Sequence, residues 1–188
     1  MTTGLVYHPG TQRQVKPGHV KALGHWLSMT TRCKQSHRSE KWARYGKCEV
    51  ADEFYRFIDF AEWAEQQVGY RIDGSQLDKD LLVRGNLIYS PETCIFVPRD
   101  INMLLTKSNA RRGDLPIGVT RTGESFDAKV SMGNKKIYLG RHATPEDAFA
   151  AYKYWKEAHI KVVAQRWKDQ IDPRAYAALM QYEVQITD

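Results

Sequence analysis

The sequence predicts an α+β protein in two parts: an N-terminal helical region leading into a strand-loop-strand-helix unit, then a three-stranded antiparallel sheet packed on a long helix. Three observations predict it. Apolar residues recur at helical spacing over about 18–34 (Val20, Leu23, Trp26, Leu27, Met29) and again over 51–68, where Phe54, Phe57, Ile58, Phe60, Ala61 and Trp63 form a wide aromatic face. The pattern changes to period two over 116–140, with turn residues at Gly123 and at Met132-Gly133-Asn134. A further helical pattern, Phe149, Tyr152, Trp155, His159 and Val162, follows a start signal at Thr144-Pro145-Glu146-Asp147.

Composition bounds the function. The 188 residues suffice for one ordinary domain or two small ones. A 42% hydrophobic and 27% charged composition is that of a globular protein, and no apolar run approaches the roughly 20 residues of a membrane span. The opening MTTGLVYHPGTQRQVKPGHV has no continuous apolar core of the signal-peptide kind, so a cytoplasmic location is expected. Cys33, Cys48 and Cys94 are odd in number and lack CxxC spacing, which argues for free thiols; a zinc site built from them with a histidine is the weaker alternative. A net charge of +6 favours a polyanionic partner.

The elements follow in order. The first helix ends in KQSHRSEKWARYGK, a basic polar loop, and the aromatic helix stops at Gly69. A strand over 76–82 leads to the turn Arg84-Gly85-Asn86, then Ile88-Tyr89, the SPETC loop, an apolar strand CIFV and a short helix RDINMLLTK opened by Pro98. The polar stretch KSNARRGD separates two domains, giving boundaries of 1–106, 107–114 as linker, and 115–188. In the second domain the strands put Val119, Ala128, Val130, Ile137 and Leu139 on one sheet face and Thr120, Lys129, Ser131, Lys136 and Tyr138 on the other. The long helix runs to about Lys168, and another starts at Asp172-Pro173.

In LDKDLL, taken alone, Asp78, Lys79 and Asp80 read as solvated charges on a half-exposed strand. In context they read otherwise. GHWLSMTTRC, the aromatic helix and LDKDLLVRGNLIYSPETCIFVPRDIN together resemble the ββα-metal unit of HNH endonucleases, closest to a branch common in phages, over about 18–112. The resemblance implies that Asp78 and Asn102 hold one magnesium (or manganese) ion, few protein ligands being enough for a hard cation that keeps its waters. It puts Lys79 in the place of the family's histidine base and Thr93 in that of the asparagine orienting it. A lysine between two carboxylates is held protonated, so Lys79 reads as a phosphate contact and Asp80 as a base or outer-shell ligand. His19, His25 and His37 lie outside the motif as other sources of a base.

Residues 115–164, through the YLG of 138–140 and the helix PEDAFAAYKYW, resemble the DNA-binding domain of plant ethylene-response factors (the APETALA class), also found in phage homing endonucleases. The resemblance implies double-stranded DNA as partner. The second sheet face suits the major groove, which admits a β-ribbon, with Arg121 or Arg141 at its edges and Arg111 and Arg112 of the linker on the minor groove or backbone. The face lacks the arginine and tryptophan richness of its plant counterpart. The expected function is metal-dependent DNA cleavage by an N-terminal nuclease positioned by a C-terminal DNA-binding domain. The alternative is a catalytically degenerate DNA-binding protein that regulates or inhibits another nucleic-acid enzyme.

Overall fold

The computed structural model describes residues 19–35, 48–106, 114–132 and 135–186. The chain divides into two compact units, Met1–Asn102 with Lys168–Ala178, and Met103–Trp167 with Leu179–Asp188. Most of the expected linker, 107–113, lies outside the described residues, and with it Arg111 and Arg112.

In the first unit α1 (His19–Gln35) buries Ala22, Trp26 and Met29, one face at helical spacing. Strand β1 (Glu49–Val50) follows. The single aromatic helix expected over 51–68 is interrupted: a 3-10 turn covers Asp52–Phe54, Arg56 is extended, and α2 runs Phe57–Gln66. The break turns Phe54 fully inward, where its ring meets Phe60 and Trp63 with centroids 5.0 and 4.7 Å away, and frees its carbonyl to accept the Trp26 indole N–H at 2.8 Å. A continuous helix would have tied that carbonyl into its own ladder. Gly69 ends the segment with φ +86°; a Cβ there would lie 2.5 Å from the Phe96 carbonyl oxygen.

Strands β2 (Gln76–Asp78), β3 (Ile88–Tyr89) and β4 (Ile95–Val97) precede α3 (Arg99–Leu105). β1 pairs with β3 in parallel, while β2 and β4 are antiparallel with Gln76 opposite Val97, Leu77 opposite Phe96 and Asp78 opposite Ile95. All three β4 residues are buried, and β2 pairs along this buried strand. The strand expected over 76–82 ends four residues early. Asp78 Oδ1 accepts the backbone N–H groups of Asp80 at 2.8 Å and Leu81 at 2.7 Å, which folds the chain out of the ladder. Helix α5 (Pro173–Met180) starts at Asp172, whose Oδ1 accepts the Arg174 N–H at 2.7 Å. Its first turns belong to this unit, although the sequence alone groups them with the second domain.

In the second unit β5 (Val119–Thr122), β6 (Ser125–Met132) and β7 (Lys135–His142) form an antiparallel sheet in that order, packed on α4 (Pro145–Trp167). Val119, Phe126, Ala128 and Val130 from the sheet meet Ala148, Phe149 and Tyr152 from the helix, and Val184 closes the same core. Thr144 caps α4 by accepting the Asp147 N–H at 3.1 Å. A β-bulge between Ala128 and Lys129 puts Tyr138 opposite Lys129 but Gly140 opposite Ala128, leaving Leu139 as the extra residue. Among the described residues no helix is long and apolar enough to cross a membrane.

Candidate functional site

The β2–β4–α3 arrangement sets one expected residue, Asn102, against the strand that bears another, Asp78. Gln76 and Asp78 alternate onto the same side of β2, and from α3 the Asn102 side-chain amide donates to Gln76 Oε1. Asn102 is set there by the first turn of α3, its own N–H donating to the Pro98 carbonyl at 3.1 Å. Asp78 is half-buried. Burial raises its carboxyl above the ordinary range, opposed by the N–H bonds from Leu81 and Asp80. Both of those bonds fall on Oδ1, so Oδ2 lies outside the turn. One carboxylate and one amide are hard oxygen donors of the kind magnesium takes while keeping most of its waters. No three His, Cys, Asp or Glu side chains cluster as a metal site among the described residues, and a two-donor magnesium site needs no such cluster.

Lys79 departs from the expected phosphate contact. Its side chain is 6% exposed, and its amino group donates to Asp80 Oδ1 at 2.6 Å and to the Asn86 carbonyl at 2.5 Å, with the Tyr89 ring 5.7 Å away. A group buried and bonded in this way holds the loop together and does not reach outward to a phosphate. Asp80, by contrast, is 55% exposed beside Asp78. Thr93 reaches Lys79 only through an intermediary: its hydroxyl donates to the Ile88 carbonyl at 3.1 Å, the same oxygen that accepts the Asn86 amide at 2.7 Å, and Asn86 in turn holds Lys79. Of the histidines outside the motif that the sequence offers as a base, two are described, and both sit in packed surroundings. His19 is buried 3.5 Å from Glu65, and His25 packs edge-on against Phe96 with its pKa lowered to about 4, by burial first and then by Lys21 and Arg32. His37 lies outside the described residues.

On the sheet, Thr120, Lys129, Ser131, Lys136 and Tyr138 fall on the face away from α4, with Ser131 opposite Lys136 and Lys129 opposite Tyr138. Arg141 joins them because of the bulge; strict alternation from Tyr138 would turn it toward the helix with Leu139. Arg121 does not join them. It pairs with Phe126 on the helix side and lies over that ring at 4.9 Å.

Three residues escaped the sequence reading. Gln76 was legible by alternation from Asp78. Asn86 reads as plain turn chemistry after Gly85, yet its side chain bridges the Lys79 carbonyl at 2.9 Å, the Ile88 carbonyl and the Ile88 N–H at 3.0 Å. Asp127, an acid at an outward position of the central strand, accepts from Thr122, Lys129 and Arg141; the Arg141 guanidinium and then Lys129 hold its carboxyl well below the usual carboxylate range. Comparison of the chain with family models, with curated proteins and with solved structures returned no match.

Proposed function

We propose that the chain is a DNA endonuclease of the phage HNH homing type, hydrolysing phosphodiester bonds in double-stranded DNA with a magnesium or manganese ion and positioned by its sheet domain. The observation that carries this reading is the strand-strand-helix arrangement that sets the Asn102 amide against the β2 face bearing Asp78. Asp78 and Asn102 are the residues to hold the ion, which when bound supplies positive charge to the scissile phosphate and its leaving oxygen. Asp80, exposed beside them, is the chain's own carboxylate for taking the proton of an attacking water, with Lys79 fixing it from behind. Lys129, Lys136 and Arg141 supply salt-sensitive attraction to the duplex.

A second reading, a DNA-binding protein that no longer cuts, is favoured by one observation: the residue at the family's base position is a buried lysine whose amino group is occupied by Asp80 and Asn86. One experiment separates the two. Supercoiled and linear duplex DNA are incubated with the protein in magnesium, manganese or chelator, beside Asp78→Ala. Cutting that needs the metal and disappears in Asp78→Ala, while duplex binding persists, is the expected result, because the ligand acts in the transition state. Cutting that survives the substitution moves the active site elsewhere; binding without cutting in any metal supports the second reading.

A further inference from the structure

The sheet face carries a carboxylate where a surface facing a polyanion has least use for one. Asp127 stands on β6, the central strand, with its side chain only 6% exposed. Thr122 Oγ1 and Lys129 Nζ both donate to its Oδ2 at 3.0 Å, and Arg141 Nε donates to its Oδ1 at 2.8 Å. Its negative charge offsets one of the three cations on the face and therefore weakens sequence-independent attraction to phosphates.

The same contacts give it a different use. Arg141 is 55% exposed and is held at Nε, the nitrogen nearest its stem. A guanidinium anchored there, with the Tyr138 hydroxyl as a second hydrogen-bond neighbour, loses much of its rotamer freedom and presents a preorganised planar fork. The fork matches the O6 and N7 acceptors that guanine shows in the major groove; a phosphate can take the same fork, but here it would carry its negative charge up to the Asp127 carboxylate, whereas a guanine edge is neutral. The bulge between Ala128 and Lys129 is what turns this arginine to the face, and Asp127 is what fixes it there.

Building on the reading of this sheet as a duplex-DNA surface, we propose that Arg141 reads a guanine in the major groove and that Asp127 is the positioning residue that holds it to that task. The test selects bound duplexes from a random-sequence pool, in chelator, with the full chain, Arg141→Lys and Asp127→Asn, and follows the salt dependence of binding to one unselected duplex. The wild-type chain is expected to enrich a motif containing guanine. Arg141→Lys keeps the charge and loses the fork, so preference at one guanine falls roughly ten- to a hundred-fold while the salt slope stays unchanged. Asp127→Asn removes a negative charge from the face; it is expected to bind the unselected duplex more tightly and with a steeper salt slope, yet with weaker guanine preference. A merely structural role for Asp127 would weaken binding to both pools alike, and that outcome overturns the proposal. An Arg141→Lys motif identical to the wild-type one also overturns it, as does a wild-type chain that binds duplexes but enriches no motif. A wild-type chain that binds no duplex at all removes the DNA-binding reading itself, a result distinguishable from the others.

Discussion

Burial raises the Asp78 carboxyl even though two backbone N–H groups point at its Oδ1, so the folded chain holds that proton more tightly than the unfolded chain does. A carboxyl raised on folding favours the fold while it is protonated and loses that contribution as pH rises through its folded pKa. Asp78→Asn keeps an oxygen for the Asp80 and Leu81 N–H groups and removes the buried charge. In chelator at neutral pH it is expected to melt above the wild type, and the difference should close as pH falls through the Asp78 pKa, where the wild-type side chain also becomes neutral. Thermal unfolding of both proteins across the acid to neutral range checks this; a lower-melting Asp78→Asn would mean that the turn's hydrogen bonds outweigh the burial. Lys79 leads to the opposite kind of prediction. Lys79→Met leaves the Asn86 carbonyl without its buried donor and should cost about 1–3 kcal/mol in denaturant unfolding, with the salt slope of DNA binding unchanged. A flatter slope would restore Lys79 as a phosphate contact. Asp78 and Asn102 are singled out in the sequence only by the resemblance to the ββα-metal unit, and the structure sets the Asn102 amide on Gln76 of the strand that also bears Asp78. The fate of Lys79 was not legible in the sequence, because it depends on how a loop closes to bring the carbonyl of Asn86, seven residues on, over its amino group.

Periodicity located the elements well wherever a side chain only has to choose between core and solvent, as in α1, β4 and α4. It failed where a local hydrogen bond competes with the ladder. LDKDLL alternates plausibly as a strand, but a carboxylate two residues before an available N–H offers a turn instead, and Asp78 takes it. The aromatic run 51–68 looks like one helix until Arg56 is extended and lets Phe54 turn inward. The bulge in β7 left no composition cue beyond Gly140, which sits at φ +127°. Gly118 makes an element-scale prediction possible. It has φ +79°, a Cβ there would fall 2.0 Å from the Tyr152 ring, and its carbonyl accepts the Lys129 N–H at 2.8 Å beside the bulge. Gly118→Ala combines left-handed backbone strain of about 1–2 kcal/mol with overpacking of about 1–3 kcal/mol against α4. The sheet unit is therefore expected to unfold at markedly lower denaturant, and an unaltered midpoint would show that Tyr152 can move aside. The cap at Thr144 is a milder case: Thr144→Ala should cost about 1 kcal/mol in the same measurement.

The polar stretch at 107–114 suggests a contiguous cut in the sequence, whereas the compact units of the structure divide between Asn102 and Met103 and share out the C-terminal residues. The start signal at Asp172-Pro173 tells where α5 begins and not which core it enters. In the structure Lys168–Ala178 groups with the first unit, where Arg174, paired with Asp172 at 2.8 Å, donates to the Glu92 carbonyl in the loop that carries Thr93. The residues beyond it return to the second unit. Val184 is 4% exposed in the sheet-helix core, its N–H donates to Glu157 Oε1 at 2.8 Å and its carbonyl accepts Lys153 Nζ at 2.9 Å. Ending the chain at Met180 removes Val184 and Tyr182 while keeping 168–178. A buried valine is worth about 1.5–3 kcal/mol and each of the two hydrogen bonds about 0.5–1.5 kcal/mol, so the sheet unit should lose roughly 2.5–6 kcal/mol, a large part of an ordinary domain's stability. Duplex binding is then expected to fail at a lower temperature, while, in a Trp155→Phe, Trp167→Phe background that leaves tryptophans in the first unit only, fluorescence reports an unchanged transition. Ending the chain at Trp167 should lower both transitions, since it also takes Ile171, Asp172 and Arg174 from the first unit. Equal behaviour of the two truncations would mean that 168–178 adds nothing to the first unit's fold, and that the 1–106 boundary read from the sequence describes a self-sufficient domain.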